Sequence, residues 1–168
     1  MSLQEEEMIK EVTFDDIQQI CDIYNHYIQN TIITFEESPV SYKEMKKRIV
    51  EITSSLPFFV YTENEEIMGY AYASKWKGRC AYRFSVEATV YLKAGKLGKG
   101  IGTKLYTALL NELKKRNIHA VLGGIALPNK ESQHLHEKFG FKKVAHFTEV
   151  GYKFNKWIDV GYWELRLK

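Results

Sequence analysis

The stretch SVEATVYLKAGKLGKGIGTKL, residues 85–105, decides the fold of this chain. Its first eight residues are apolar and rich in β-branched and aromatic side chains, which favour a strand. From Ile101 onwards, apolar side chains recur at the spacing of one helix face, at Leu105, Ala108, Leu109 and Leu113. The glycines between them predict a tight turn, so the stretch reads as strand, turn and helix.

The predicted turn is suited to holding an anion. The first N–H groups of a helix have no partner within the helix, and the helix dipole favours negative charge at that end. Glycine lets the backbone approach a phosphate closely, because no β-carbon stands in the way. We therefore predict that the loop from Gly98 to Thr103 binds a diphosphate beside a reactive carboxylate, Glu87.

Two familiar phosphate-binding motifs do not fit this loop. A P-loop requires lysine where Ile101 stands, and the dinucleotide fingerprint requires glycine where Thr103 stands. The lysines around the loop, Lys93, Lys96, Lys99 and Lys104, either form a solvated face or steer a polyanionic ligand. An ordinary glycine turn without a ligand is the alternative for the loop itself.

Length and composition indicate one globular domain. The 168 residues suit a single core, for which we expect residues 8–168 as the domain and residues 1–7 as a loose arm. The net charge of +3 is too small to indicate nucleic-acid binding. No apolar run is long enough to span a membrane, and no signal-peptide pattern is present.

The cysteines and histidines indicate neither a disulfide framework nor a metal site. Cys21 and Cys80 have no framework spacing, which predicts a reducing compartment and a cytoplasmic protein. His134 and His136 lie two apart on a predicted helix and face different ways, so they do not share a metal. We expect no metal cofactor.

Periodicity and capping signals predict the element order β-α-α-β-β-β-α-β-α-β-β. Capping boxes at Thr13/Asp16 and Ser41/Glu44 mark the first two helices, and residues 63–66 predict a hairpin turn. The strand-helix-strand order around the glycine turn predicts a parallel pair of strands. The fold class is therefore α/β, with an α+β-type mixed sheet and helices on both faces.

Four segments carry a resemblance to a known family. The loop with Gly100 and Gly102 resembles the acetyl-CoA loop, [RQ]xxGx[GA], of the GCN5-related N-acetyltransferases (GNAT), although Leu97 replaces the usual Arg or Gln. Residues 129–141, NKESQHLHEKFGF, resemble the family segment N-x-x-[AS]-x-x-L-[YH]-x-x-x-G-F. Residues 76–91 and 151–160 resemble the branch that acetylates phosphinothricin and methionine sulfone.

The resemblance implies a GNAT-like fold that transfers acetyl from acetyl-CoA to the α-amine of a small amino-acid-like acid. Asn129 would lie along the pantetheine arm, with Ser132 and His136 on one helical face towards the cofactor. A backbone N–H among Val90, Tyr91 and Leu92 would steady the thioester carbonyl. The pyrophosphate would be held by the loop residues Leu97, Gly98, Lys99, Gly100, Ile101, Gly102 and Thr103.

Two residues are candidates for proton transfer. A partly desolvated Glu87 could have a raised pKa and act as general base, directly or through water; the alternative is a salt bridge to Arg79 or Arg83. The wider family often has Tyr at the position of His136, which we assign as the acid for the leaving thiolate because imidazole titrates near neutrality. A histidine on the helix surface is the alternative.

The acceptor site is predicted in three loops. The guanidinium groups of Arg79 and Arg83 can each grip a carboxylate or phosphinate with two hydrogen bonds, and Tyr82 lies between them. Phe35 and Tyr152 are candidate pocket walls, with a packed aromatic as the alternative for Phe35. The resemblance also makes a homodimer plausible. Other acceptors, namely another small amine or a peptide N-terminus, remain open, as does a non-catalytic acyl-CoA sensor.

Overall fold

The computed structural model describes residues 7–168, so the arm predicted for residues 1–7 lies, except for Glu7, outside the described residues. The element order is the predicted one. The strands are β1 Glu7–Glu11, β2 Phe58–Glu63, β3 Glu66–Lys75, β4 Ser85–Leu92, β5 Ala120–Ala126, β6 Lys142–Lys153 and β7 Lys156–Arg166. The helices are α1 Ile17–Asn30, α2 Tyr42–Thr53, α3 Ile101–Lys115 and α4 Lys130–Lys138.

The seven strands form one mixed sheet in the order β1-β2-β3-β4-β5-β7-β6. β1/β2, β2/β3, β5/β7 and β6/β7 pair antiparallel. β4 and β5 pair in parallel from Ser85↔Ala120 to Glu87↔Leu122, which confirms the predicted parallel pair. Within residues 7–168, no helix is both long and apolar enough to cross a membrane.

The chain forms two compact units. The first comprises residues 7–24, Val40–Ala73 and Thr89–Leu113. Its core includes the predicted face of α3, where Ile101, Leu105, Leu109 and Leu113 are all buried. The predicted β2–β3 turn is confirmed: Asn64 and Glu65 have positive φ, as a two-residue turn between twisted strands requires.

The second unit comprises Asn25–Pro39, Ser74–Ala88 and Lys114–Lys168. β5 pairs with β7 over seven residues, and Trp163 of β7 is 1% exposed. β6 is irregular between Phe147 and Gly151, where the Asp159 carboxylate accepts the Glu149 N–H at 2.8 Å. This unit contains Glu87, α4 and the segments predicted to bind the acceptor.

Candidate active site

The glycine loop of the first unit has the backbone of an anion-binding turn. Gly98 and Gly100 have φ of +75° and +79°, a region that side chains with a β-carbon rarely adopt. The Lys104 N–H donates to the Gly100 carbonyl at 3.0 Å, so the amides just before Lys104 precede the first bond of α3. A β-carbon at either glycine would meet nothing within 4 Å. The loop is therefore open at both glycines, and diphosphate binding there stays a prediction.

Three of the four lysines around the loop are held against the β2–β3 hairpin. Lys93 pairs with Glu66, and Lys96 pairs with Glu63 at 3.3 Å. The Lys104 ammonium donates to the Tyr61 hydroxyl at 3.2 Å. These contacts anchor the loop, whereas Lys99 is exposed.

The end of β4 leads into this loop. Tyr91 packs its ring against Tyr24 and Tyr70, with ring centroids 5.3 and 5.6 Å away. Val90, Tyr91 and Leu92 are all partly exposed. That one of their amides steadies the thioester carbonyl stays a prediction.

In the second unit, Glu87 is a half-buried carboxylate at the end of the β4/β5 ladder. A β-carbon at Gly124 would stand 3.1 Å from Glu87 Oε1, so the absence of a side chain there leaves room for the carboxylate. Burial raises the pKa of Glu87, and the positive charge of Lys77 opposes this shift. No salt bridge joins Glu87 to Arg79 or Arg83 among residues 7–168, which removes that alternative.

Tyr162 is a neighbour of Glu87 that no local sequence pattern indicates. It pairs with Gly124 across β5 and β7, and its ring also lies 3.1 Å from the Gly124 β-carbon position. Burial and the negative charge of Glu87 raise the pKa of Tyr162, so the phenol stays protonated. Trp76 contacts this ring edge-on, with centroids 5.3 Å apart. The proximity of Tyr162 to Glu87 follows only from the register of β5 with β7.

His136 lies inside the unit, so the alternative of a surface histidine is wrong. It is 3% exposed, and its Nε2 stands 2.3 Å from where a Gly123 β-carbon would be. The His136 Nδ1–H donates to the Ser132 carbonyl at 2.7 Å, whereas Asn129 Oδ1 caps α4 by accepting the Ser132 N–H at 3.1 Å. Burial lowers the pKa of His136.

The two predicted proton-transfer residues contact opposite faces of β5. Side chains of consecutive strand residues point to opposite faces. His136 occupies the space at Gly123, and Glu87 occupies the space at Gly124. The structure therefore does not bring Glu87 and His136 together on one face, and the acid role of His136 stays a prediction.

The candidate acceptor residues each lie against an aromatic ring or, for Phe35, against a glycine. Arg79 lies 5.6 Å from the centre of the Tyr82 ring, and Arg83 lies 4.5 Å from that of Phe84; both arginines are exposed. Phe35 is 40% exposed, yet its ring fills the space over Gly151.

Tyr152 stacks at a tilt on Trp157, with ring centroids 4.8 Å apart, and both rings are exposed. Among the described residues, no group of three or more His, Cys, Asp or Glu side chains could hold a metal ion.

Comparison with known proteins agrees with this geometry. The family model of the Acetyltransferase (GNAT) domain matches residues 9–161. A phosphinothricin N-acetyltransferase of Streptomyces coelicolor is 38% identical, with 89% of this chain and 90% of the relative covered. An L-methionine sulfoximine/L-methionine sulfone acetyltransferase of Salmonella typhimurium is 32% identical, with 90% of each covered.

A solved structure leads to the same family. The GNAT superfamily phosphinothricin acetyltransferase of Sinorhizobium meliloti, solved with acetyl-CoA, superposes with a TM-score of 0.93. It is 31% identical, and the alignment covers 96% of this chain and 88% of that one. The chain thus belongs to the GNAT family, and it is an acetyl-CoA-dependent N-acetyltransferase.

Proposed function

We propose that this enzyme acetylates the α-amine of a small amino-acid-like acid of the phosphinothricin or methionine sulfone type, with Glu87 as general base. The observation that carries the proposal is the half-buried Glu87 carboxylate, which has a raised pKa and, among residues 7–168, no arginine partner. The names of the relatives from Streptomyces coelicolor and Salmonella typhimurium support this substrate class.

Each part of the mechanism is assigned to residues of this chain. Acetyl-CoA supplies the activated acetyl group. The amides and glycines of residues 97–103 would hold its pyrophosphate, and Asn129 and Ser132 would lie along the pantetheine arm. A backbone N–H among residues 90–92 would donate to the thioester carbonyl. Glu87 takes a proton from the substrate ammonium, directly or through water. Its raised pKa makes it a stronger base than an ordinary carboxylate.

The acceptor is held by charge and by aromatic walls. Arg79 and Arg83 bind its acidic groups, because a planar guanidinium makes paired hydrogen bonds with a carboxylate or phosphinate. In this proposal Phe35 and Tyr82 form surrounding walls, whereas the role of Tyr152 stays a prediction, because it points to the face of β6 away from Phe35. His136 remains the candidate acid for the thiolate, a role that requires the protonated imidazolium, because in the neutral ring the one N–H is donated to the Ser132 carbonyl; the lowered pKa of His136 disfavours that charged form.

We further propose a homodimer formed through β6. This strand stands at the end of the sheet order and exposes Val144, Phe147 and Val150, each at least 48% accessible. An open apolar strand edge favours pairing with a second copy. Light scattering tests this assembly. A cytoplasmic location is proposed because neither Cys21 nor Cys80 forms a disulfide among residues 7–168.

The decisive experiment is a panel of amines with acetyl-CoA, followed by release of free thiol. We expect turnover of acidic amino-acid analogues well above that of polyamines and peptide N-termini. Better turnover of the other amines would favour the second acceptor class, and no thiol release with any amine would favour a sensor.

An arginine variant tests the acceptor site. Arg83→Ala should raise the KM of acidic acceptors while the KM of acetyl-CoA stays unchanged, because in this proposal the guanidinium binds the acceptor and not acetyl-CoA. Arg166→Ala is the matched control, since Arg166 is an exposed arginine at the end of β7. Equal changes in both KM values for Arg83→Ala would contradict this placement.

A further inference from the structure

Lys153, near the end of β6, is a buried cation whose contacts are all within the second unit. Lys153 is only 2% exposed. The Lys153 Nζ donates to the carbonyl oxygens of Thr31 and Thr34, each at 2.8 Å. The same ammonium lies 5.0 Å from the centre of the Phe154 ring. A lysine is rarely buried without such partners.

These contacts join β6 to the segment that follows α1. The helix ends at Asn30, and the two carbonyls that accept from Lys153 lie in the next four residues. Cations are favourable beside the carbonyl end of a helix. Hydrogen bonds from a charged donor are also stronger than neutral ones. Lys153 therefore determines the course of the chain just before Phe35.

Gly151 receives the Phe35 ring on the same side of β6. A β-carbon at Gly151 would stand 2.4 Å from two atoms of that ring. Residues two apart on a strand share a face, so Gly151 and Lys153 both contact the 31–35 segment. Tyr152 lies between them and points to the opposite face of β6. In the Gly-Tyr-Lys sequence, Gly151 thus leaves room for the Phe35 ring, and Lys153 donates hydrogen bonds to the carbonyls of Thr31 and Thr34.

We propose that Lys153 is a positioning residue that holds residues 31–35, and with them Phe35, and so sets which acceptor side chains the enzyme accepts. The role in specificity rests on the proposed function, in which Phe35 is a wall of the acceptor pocket. The role in ordering the segment does not depend on it.

The test compares Lys153→Met with Lys156→Met, because methionine keeps most of the length of the side chain but cannot donate a hydrogen bond. Lys156 is the exposed register partner of Lys153 across the hairpin, which makes it a matched control. In Lys153→Met we expect faster amide hydrogen exchange in residues 31–36. We also expect a rise of about tenfold in the acceptor KM, with the acetyl-CoA KM unchanged and weaker discrimination between acceptors with short and long side chains. Lys156→Met should show none of these changes.

Two outcomes would overturn the proposal. One is unchanged hydrogen exchange of residues 31–36 in Lys153→Met, and the other is an equal rise of both KM values. If Lys153→Met does not fold, Gly151→Ala decides, because it displaces Phe35 without removing the cation. It should reproduce the loss of acceptor discrimination, and an unaltered acceptor profile would reject the proposal.

A wild-type enzyme that acetylates no acidic amine would refute the proposed function. The exchange measurement would still report on the ordering of residues 31–36, so the two failures are distinguishable. A Phe35→Ala/Lys153→Met double variant adds a further check. If Lys153 acts through Phe35, the effects of the two substitutions on acceptor discrimination will not add.

Discussion

The Glu87 carboxylate and the Tyr162 ring meet at Gly124, where a β-carbon would stand 3.1 Å from Glu87 Oε1 and 3.1 Å from Tyr162 Cζ. Gly124 pairs with Tyr162 across β5 and β7, and Glu87 pairs with Leu122 across β4 and β5. Three strands that are separate in sequence therefore build the surroundings of the proposed base. The space left by one glycine admits both groups.

Glu87→Gln should lower kcat by about 10²–10⁴-fold, the usual contribution of a general base. In the wild-type enzyme, kcat/KM should rise with pH through the raised pKa of Glu87, because only the carboxylate accepts a proton. Pre-steady-state or steady-state thiol release across pH 5–9 measures both effects. If the variant keeps the acidic limb of the wild-type profile, Glu87 is not the base.

The same substitution should stabilise the folded protein at alkaline pH. A carboxyl group whose pKa is raised on folding stabilises the fold while it is protonated, and this stability is lost as pH rises through the folded pKa. Glutamine stays neutral and lacks this loss. The Tm of Glu87→Gln relative to wild type should therefore be higher at pH 8 than at pH 4, and a pH-independent difference would contradict the raised pKa.

Gly124→Ala should lower kcat more than it changes either KM. Its new methyl group would stand 3.1 Å from Glu87 Oε1, which is closer than most real contacts, so the carboxylate must shift. Gly78→Ala is the matched control, because a β-carbon at that exposed glycine meets nothing within 4 Å. Equal kcat values for the two variants would show that the position of Glu87 tolerates displacement.

His136→Asn should flatten the dependence of Tm on pH below neutrality. The pKa of His136 is lowered in the folded state, so its contribution to stability is present above the unfolded value of about 6.5 and is lost as pH falls below it. Asparagine can keep a donor for the Ser132 carbonyl without titrating. The control is His134→Asn on the exposed side of α4, which should leave the wild-type profile unchanged.

Gly100→Ala should raise the KM of acetyl-CoA and leave the acceptor KM unchanged. Its φ of +79° costs a residue with a β-carbon roughly 1–2 kcal/mol, so the loop before α3 must change course. Gly95→Ala carries the same strain, with φ of +80°, but lies before the predicted pyrophosphate loop. Identical acetyl-CoA KM values in the two variants would place the pyrophosphate elsewhere.

Much of the fold could be predicted because the signals are local. The apolar spacing of α3, the hairpin turn at Asn64 and Glu65, and the cap at Ser41 each depend on residues a few positions apart. Ser41 accepts the Glu44 N–H at 3.2 Å, as the capping pattern predicts. Local patterns of this kind determine element type and order, and here they were confirmed.

The surroundings of the site residues could not be predicted in this way. The burial of His136 depends on its packing against Gly123, and the position of Glu87 depends on its packing against Gly124. Tyr162 reaches Glu87 only through the register of β5 with β7. Lys153 reaches the segment after α1 across more than a hundred residues of sequence.

By itself, the sequence determined the order of the elements and the glycine turn at the start of α3, because periodicity and turn chemistry act between near neighbours. Only the tertiary structure decided that Glu87 shares its space with Tyr162, that His136 is buried, and that Lys153 holds the segment before Phe35. These contacts depend on strand register and packing, which join residues that no local pattern relates.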